Sequence, residues 1–261
     1  MTARPRLTPF WGGLVLVTGL YLAFLVALLG ATAAYTTPGQ LWESLQTREI
    51  RYAIGLSLVS CTTSSLLALL LAVPVAYLLS RGRFAAKEWL DAALDIPIVL
   101  PPMVVGLCLL IFFQTGAGQA IERFVPFTYT VAGVVLAQFV IGVTFAVRTM
   151  RGVFDHLSAR PEDVAMTLGC SRGQAVWLVT LPAAKRGMFA AFSIAWARSL
   201  GEFGPILVFA GVTRMKTEVM PTSVFLELSA GRLEAAVAVS LLMVAFALVV
   251  LVSVRLVGEK M

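Results

Sequence analysis

Six long apolar runs, separated by short segments that carry most of the charge, constrain this chain more than any other feature. A helix that crosses a bilayer needs about 20 consecutive apolar residues. The runs reach from about Phe10 to Tyr35, Ile54 to Leu79, Ile96 to Phe113, Val131 to Val147, Met188 to Val212 and Ala235 to Val257. Of 261 residues, 59% are hydrophobic and only 13% charged. Soluble domains carry roughly 25% charged residues, so the excess is not a globular core. The pattern excludes a soluble enzyme, a disordered chain and a disulfide-stapled secreted domain. It predicts an all-α polytopic membrane protein with six transmembrane helices.

The charge pattern orients the spans. The formal net charge is +6, which in a soluble protein would suggest nucleic acid. Here the basic residues lie between apolar runs, so they are read as topology, with the lipid bilayer and not nucleic acid as the partner. With the N-terminus in the cytoplasm, the inner segments hold thirteen Lys and Arg, from Arg4 and Arg6 to Arg255 and Lys260. The outer loops hold six (Arg48, Arg51, Arg123, Arg214, Lys216 and Arg232), and Arg198 falls within a span. Both termini are therefore expected in the cytoplasm. A signal peptide fits the first run poorly, because such apolar regions span about 7–15 residues. The expected organisation is residues 1–51 as N-terminal tail, first helix and outer loop, 52–257 as the main membrane-spanning domain, and 258–261 as a tail.

Three cysteines in no CxxC arrangement and a single histidine, His156, support neither a disulfide framework nor a metal site. There is no GxxxxGK[ST] or GxGxxG pattern, so no phosphate cradle is expected in this chain. No HExxH or GxSxG points to an intramembrane enzyme.

The loop from Arg151 to Gly187 is too polar to span and rich in helix signals. Pro161 suits a first turn, with Glu162 and Asp163 at its positive end. Gly169 is a stop signal. Ser171 and Gln174 form a capping box for a second helix, expected to end near Leu181-Pro182. Two short helices beneath the membrane are predicted, with Val164, Ala165 and Leu168 as apolar contacts.

This loop resembles that of the type I class of binding-protein-dependent ABC importers. The pattern there is EAA, three residues, Gly, nine residues, Ile, one residue, LeuPro. Asp163-Val164-Ala165, Gly169, Val179 and Leu181-Pro182 stand at those positions, with Asp for Glu, Val for Ala and Val for Ile as departures. The resemblance implies a type I permease fold and a coupling helix that docks on a cytoplasmic ATPase. It also implies a homodimer, two ABC ATPase subunits that carry ATP and Mg, no cofactor in this chain, and an extracytoplasmic binding protein. An ATP-independent secondary transporter or channel for a small anion would account for the hydropathy but leave the loop pattern unexplained.

Three further segments resemble permeases for tetrahedral oxyanions: molybdate, tungstate and, more distantly, sulfate. They are Asp95-Ile-Pro-Ile-Val-Leu-Pro-Pro-Met-Val-Val-Gly106, Arg198-Ser-Leu-Gly-Glu-Phe-Gly-Pro205 and Thr213-Arg-Met-Lys-Thr-Glu-Val-Met-Pro221. The second carries its own physical signal. Arg198 and Glu202 are four residues apart and expected on one helix face near the midplane, with Arg198 as the charge that costs most if unpaired. Gly201 and Gly204 allow close approach, Phe203 lies between them, and Pro205 favours a kink. These residues form either a gate or a packing pair. A polar run in the second span, Ser57 to Ser65, suits close helix packing. At the outer mouth, Arg214 and Lys216 either steer an anion or pair with Glu218 and Glu227, ahead of a short interfacial helix over about 217–229.

Overall fold

The computed structural model describes residues 9–258. The expected tails, 1–8 with Arg4 and Arg6 and 259–261 with Lys260, and the side chain of Arg255, lie outside what it describes. The described residues form helices and connecting turns, with no strand among them. In chain order the helices are α1 (Pro9–Ala34), α2 (Pro38–Gln46), α3 (Arg48–Arg81), α4 (Lys87–Val99), α5 (Pro102–Gln114) and α6 (Gly116–Glu122). There follow α7 (Val131–His156), α8 (Arg160–Thr167), α9 (Arg172–Ala175), α10 (Leu181–Leu200), α11 (Met220–Ser229) and α12 (Leu233–Gly258). Two π-helical turns, Val176–Thr180 and Ile206–Ala210, adjoin α10.

The centre is a triangle of α3, α7 and α10. Ala68, Ala72 and Ala76 on α3 recur every four residues and are fully buried against Ala146, Met150 and Phe154 of α7 and Ala184, Ala191 and Ala195 of α10. Lipid supplies no hydrophobic drive between helices, so small residues that let backbones approach hold such a bundle together. Toward the other end, α3 and α10 share a core with α11 and α12 through Cys61, Trp196, Met220 and Val239. α1 has no buried residue and touches α12.

Four helices, α1, α3, α7 and most of α12, are long and apolar enough to cross a membrane. The third predicted span is not one helix but the pair α4 and α5, bent by 109°. Pro101 and Pro102 lack an N–H, and each pushes the residue before it away from helical backbone. Leu100 and Pro101 accordingly take ψ of 139° and 134°, and Pro102 opens the next helix. The fifth predicted span, 188–212, is not one helix: α10 begins earlier, at Leu181, and ends at Leu200, and a π turn over Ile206–Ala210 follows after a break.

The second loop helix does not stop at Leu181-Pro182. α9 runs through the π turn 176–180 directly into α10. A proline within a helix crowds the carbonyl four residues back and offers it no donor. Here the Leu181 N–H bonds to the Val176 carbonyl, five residues back, and that widened turn absorbs Pro182. α2 was not foreseen, although Thr37, Pro38 and Gln40 spell its capping box.

Candidate functional site: two helix breaks and an exposed helix tip

The two segments that break their spans pack against each other. α10 ends at Leu200, and Gly201 to Phe203 are not helical. A Cβ on Gly204 would lie 2.9 Å from the Met103 amide nitrogen and 3.0 Å from Pro102 Cβ. A Cβ on Gly106 would lie 2.7 Å from Pro205 Cα. Each elbow therefore uses a glycine to seat the proline turn of the other. The break lies at Gly201–Phe203, ahead of Pro205, so the expected kink at Pro205 is replaced by a chain interruption.

The freed end of α10 is satisfied by side chains from its neighbours. Gln138 of α7 donates to the Ser199 carbonyl at 3.3 Å, and the Ser199 and Ser64 hydroxyls lie 3.2 Å apart. Helix ends leave carbonyls without partners, and burial makes such groups costly unless paired. Much of the polar run on α3 is thus packing and capping material: Ser57 also accepts the Met220 N–H at 2.8 Å.

Arg198 and Glu202 form an ion pair across this break, Nη1 to Oε2 3.3 Å. The burial is unequal: the Glu202 side chain is 2% exposed and that of Arg198 35%. The guanidinium also lies 5.6 Å from the centre of the Phe145 ring, a cation–π distance. Phe203 stacks on Phe225 of α11 at 5.5 Å, tying the break to the opposite loop.

At the end of the bundle beyond His156, α8 presents an apolar tip. Val164 is 57% exposed and Leu168 81%. Asp163 and Gly169 are exposed there too, and Ala165 is half-buried. Gly169 has φ of +97°, and the Cys170 and Gly169 N–H groups bond to the Ala165 and Met166 carbonyls at 3.1 and 3.0 Å. That is a Schellman stop, which favours glycine. Ser171 and Gln174 make the expected capping box. Val179, Leu181 and Pro182 sit apart from this tip, on the continuous helix that leads into α10.

The residue that anchors the tip was not singled out from sequence. Glu162, 6% exposed, accepts hydrogen bonds from the Tyr77 hydroxyl of α3 and from Thr180 Oγ1 at 3.0 Å. One carboxylate thus joins α8, α3 and the π turn. Removing one donor from a buried acceptor costs about 1–3 kcal/mol, so Tyr77→Phe is expected to lower stability by that amount. Chemical unfolding in detergent measures it, and an unchanged midpoint would mean the bond carries no weight. The fold also shows α4 clamped to α7: Asp95 bonds Arg148 Nε at 2.6 Å, and Asp91 pairs with Arg151.

At the other end, Arg214 Nη1 lies 2.9 Å from Glu227 Oε1 and 3.5 Å from Glu218 Oε1. Arg232 Nε reaches Glu227 Oε2 at 2.6 Å. Lys216 is exposed, and its carbonyl accepts the Tyr52 hydroxyl at 3.0 Å. The pairing alternative holds for Arg214. Screening acts on exposed charges over roughly 8–10 Å and far less on buried pairs. Arg214→Gln is therefore expected to reduce transport by the same factor at low and high ionic strength. A loss confined to low salt, in initial-rate uptake assays, would mean that Arg214 acts through its long-range field. The expected interfacial helix is α11, Met220–Ser229.

Comparison with known proteins places these features in a family. Residues 64–261 match the family model described as binding-protein-dependent transport system inner membrane component. The chain is 34% identical over 258 residues to a probable molybdenum ABC transporter permease protein of Haloferax volcanii, covering 98% of this chain and 94% of that protein. It is 34% identical to the molybdenum transport system permease protein ModB of Mycobacterium tuberculosis, covering 96% and 95%. It is 32% identical to the sulfate transport system permease protein CysT of Escherichia coli, covering 93% and 90%. A chain of a bacterial alginate ABC transporter, solved in complex with an alginate pentasaccharide-bound periplasmic protein, shares the fold, with a TM-score of 0.74 at 16% identity over 96% of this chain and 94% of that one. A family match over residues 64–261 and 34% identity to a relative over nearly the whole chain agree: this multi-pass chain belongs to the family of inner membrane components of binding-protein-dependent transport systems.

Proposed function

We propose that this chain is the membrane permease subunit of an ATP-driven importer for a tetrahedral oxyanion, with molybdate or tungstate as cargo ahead of sulfate. The observation that carries the cargo class is the chemistry shared by relatives matched over nine-tenths or more of the chain, which are named for molybdenum or sulfate transport. Two copies form the pathway, and an extracytoplasmic binding protein delivers the anion. Two ABC ATPase subunits with their own ATP and Mg sit on the cytoplasmic side, and both termini lie there. The chain itself holds no cofactor.

In this reading the α8 tip is the ATPase contact. A short helix stopped by a left-handed glycine and tied down by Glu162 moves as a rigid body, and a rigid element passes on a displacement that a floppy loop absorbs. Asp163, Val164, Ala165, Leu168 and Gly169 form the contact, and Val179, Leu181 and Pro182 carry the motion into α10. The paired breaks, with Arg198, Gly201, Glu202, Phe203, Gly204 and Pro205, form the gate. Arg214 and Lys216 stand at the outer mouth.

At Gly169 a β-branched side chain meets nothing within 4 Å but must adopt φ of +97°. Strain of that kind costs of order 1–3 kcal/mol. Gly169→Val is expected to reduce anion uptake while membrane insertion persists. Normal uptake with normal ATPase association would remove the coupling role of this glycine. The assembly is tested by purifying the tagged chain from its native membrane in mild detergent. A complex with two copies of this chain and a P-loop ATPase is expected. Recovery of the chain alone, with no ATPase at any detergent strength, would contradict the reading. Calorimetric titration of the binding protein with molybdate, tungstate and sulfate ranks the cargo.

A further inference from the structure

The triangle of α3, α7 and α10 leaves a groove along each of its three seams. The groove of about 680 Å³ between α3 and α7 is lined by apolar side chains such as Leu67, Leu70 and Phe139. The groove of about 640 Å³ between α3 and the start of α10 is likewise apolar, with Val73, Trp177 and Met188. The third, about 770 Å³ between α7 and α10, differs in chemistry: His156, Lys185 and Arg186 line it, with no carboxylate among the described lining residues.

This third seam lies on the same face of α7 as the ring that Arg198 covers. Phe145, Thr149, Gly152 and His156 follow one another on α7 at spacings of four, three and four, which places them on one face. Arg198 lies over Phe145 at the far end of that face. Eleven residues at about 1.5 Å each put His156 roughly 16 Å from Phe145 along the helix. The floor of the groove is tight, because Gly187 brings α10 onto α7: a Cβ there would lie 2.4 Å from Val153 Cγ2. His156 Nδ1 donates to the Gly152 carbonyl at 2.7 Å, so Nε2 can donate to an anion when the ring is protonated. The neighbouring carboxylate, Asp155, is engaged elsewhere, by the Ser80 hydroxyl at 2.5 Å and by Arg151.

We propose that this cavity is a second anion station, at the coupling-loop end of the pathway, where Lys185 and His156, with Arg186 beside them, hold the oxyanion after it has passed Arg198. The proposal rests on the oxyanion reading above. Two apolar seams suit acyl chains, and a cationic seam on the α7 face that also carries Phe145 suits a dianion. Lys185, Arg186 and His156 are exposed, so the station binds weakly enough to release its cargo, as any pathway site must.

The test uses the permease–ATPase complex without nucleotide, in nanodiscs of phosphatidylcholine, with radiolabelled molybdate as the probe. Saturable binding is expected. The double variant Lys185→Gln with His156→Gln should weaken it by about tenfold or more, and Lys185→Arg should largely preserve it. A second measurement needs no variant: tungstate added to the wild-type complex should give an electron-dense peak between Lys185 and His156. No saturable binding, unchanged affinity in a double variant that still assembles, or a tungstate peak only beside Arg198 would overturn the proposal. So would loss of a retained anionic phospholipid in the variant with molybdate binding intact, which would assign the cavity to a lipid headgroup. Uptake by the same complex is read separately. Molybdate uptake without a peak removes the second station alone, whereas uptake of no oxyanion removes the cargo reading and the station with it.

Discussion

Arg198→Gln is expected to damage this protein more than Glu202→Gln, and more than the two changes together. Removing one partner of a buried ion pair leaves the other charge uncompensated, at about 3–5 kcal/mol. The sequence alone points to Arg198 as the costly charge, because it lies within an apolar run. The structure reverses the order. Arg198 keeps 35% exposure and the face of Phe145, whereas Glu202 is 2% exposed. Glu202 Oε2 also has no hydrogen bond in the fold, so Arg198 is its source of compensation. Glu202→Gln leaves a cation that is not enclosed by the fold and still lies over a ring. A double-mutant cycle on unfolding midpoints and on uptake measures the coupling. Strictly additive effects would mean that the two side chains do not interact.

The second large effect is expected at the paired elbows. Gly106→Val would push Cβ to 2.7 Å from Pro205 Cα and 3.0 Å from the Pro205 carbonyl oxygen. Those atoms are backbone and cannot rotate aside. Overpacking typically costs about 1–3 kcal/mol, and here it also separates the two breaks. Gly204→Val meets the Met103 amide in the same way. Both variants are expected to insert into the membrane and to lose most uptake. Gly55→Ala, where an added Cβ meets nothing within 4 Å, serves as the control and should change little. Wild-type uptake by Gly106→Val would show that the elbows need not touch for transport.

The apolar runs were legible because bilayer thickness sets their length. The first, predicted over 10–35, is Pro9–Ala34, and the sixth, predicted over 235–257, is Leu233–Gly258. The fourth was cut short at Val147, yet α7 continues to His156. Arg148 and Arg151 read as loop charges in sequence, and only the fold supplies Asp91 and Asp95 to pair with them. The Gly201–Pro205 segment was visible as a local disruption, whereas the run holding Pro101 and Pro102 reads as a single span. Their meeting was not visible, because Gly106 and Pro205 are joined only by tertiary packing.

The α8 tip divides in the same way. The Gly169 stop and the Ser171 cap are local signals with local causes, and both appear where the residues place them. The Glu162 tether depends on Tyr77, 85 positions away, and no periodicity announces such a pair. Pro182 reads as a helix end, because local rules do not foresee a π turn that accommodates it. In the turn before α11, Arg214 and its acidic partners were all visible in sequence. The choice between steering and pairing needed the turn that brings Glu227 to Arg214.

The most direct test is molybdate uptake into proteoliposomes that contain this chain and its ATPase. ATP is sealed inside, and the binding protein is added outside. Accumulation against a gradient is expected, with uptake lost when ATP, the ATPase or the binding protein is omitted. Molybdate entry at the same rate without ATP or ATPase, stopping once the concentrations are equal, would contradict an ATP-driven importer and leave an ATP-independent anion transporter or channel.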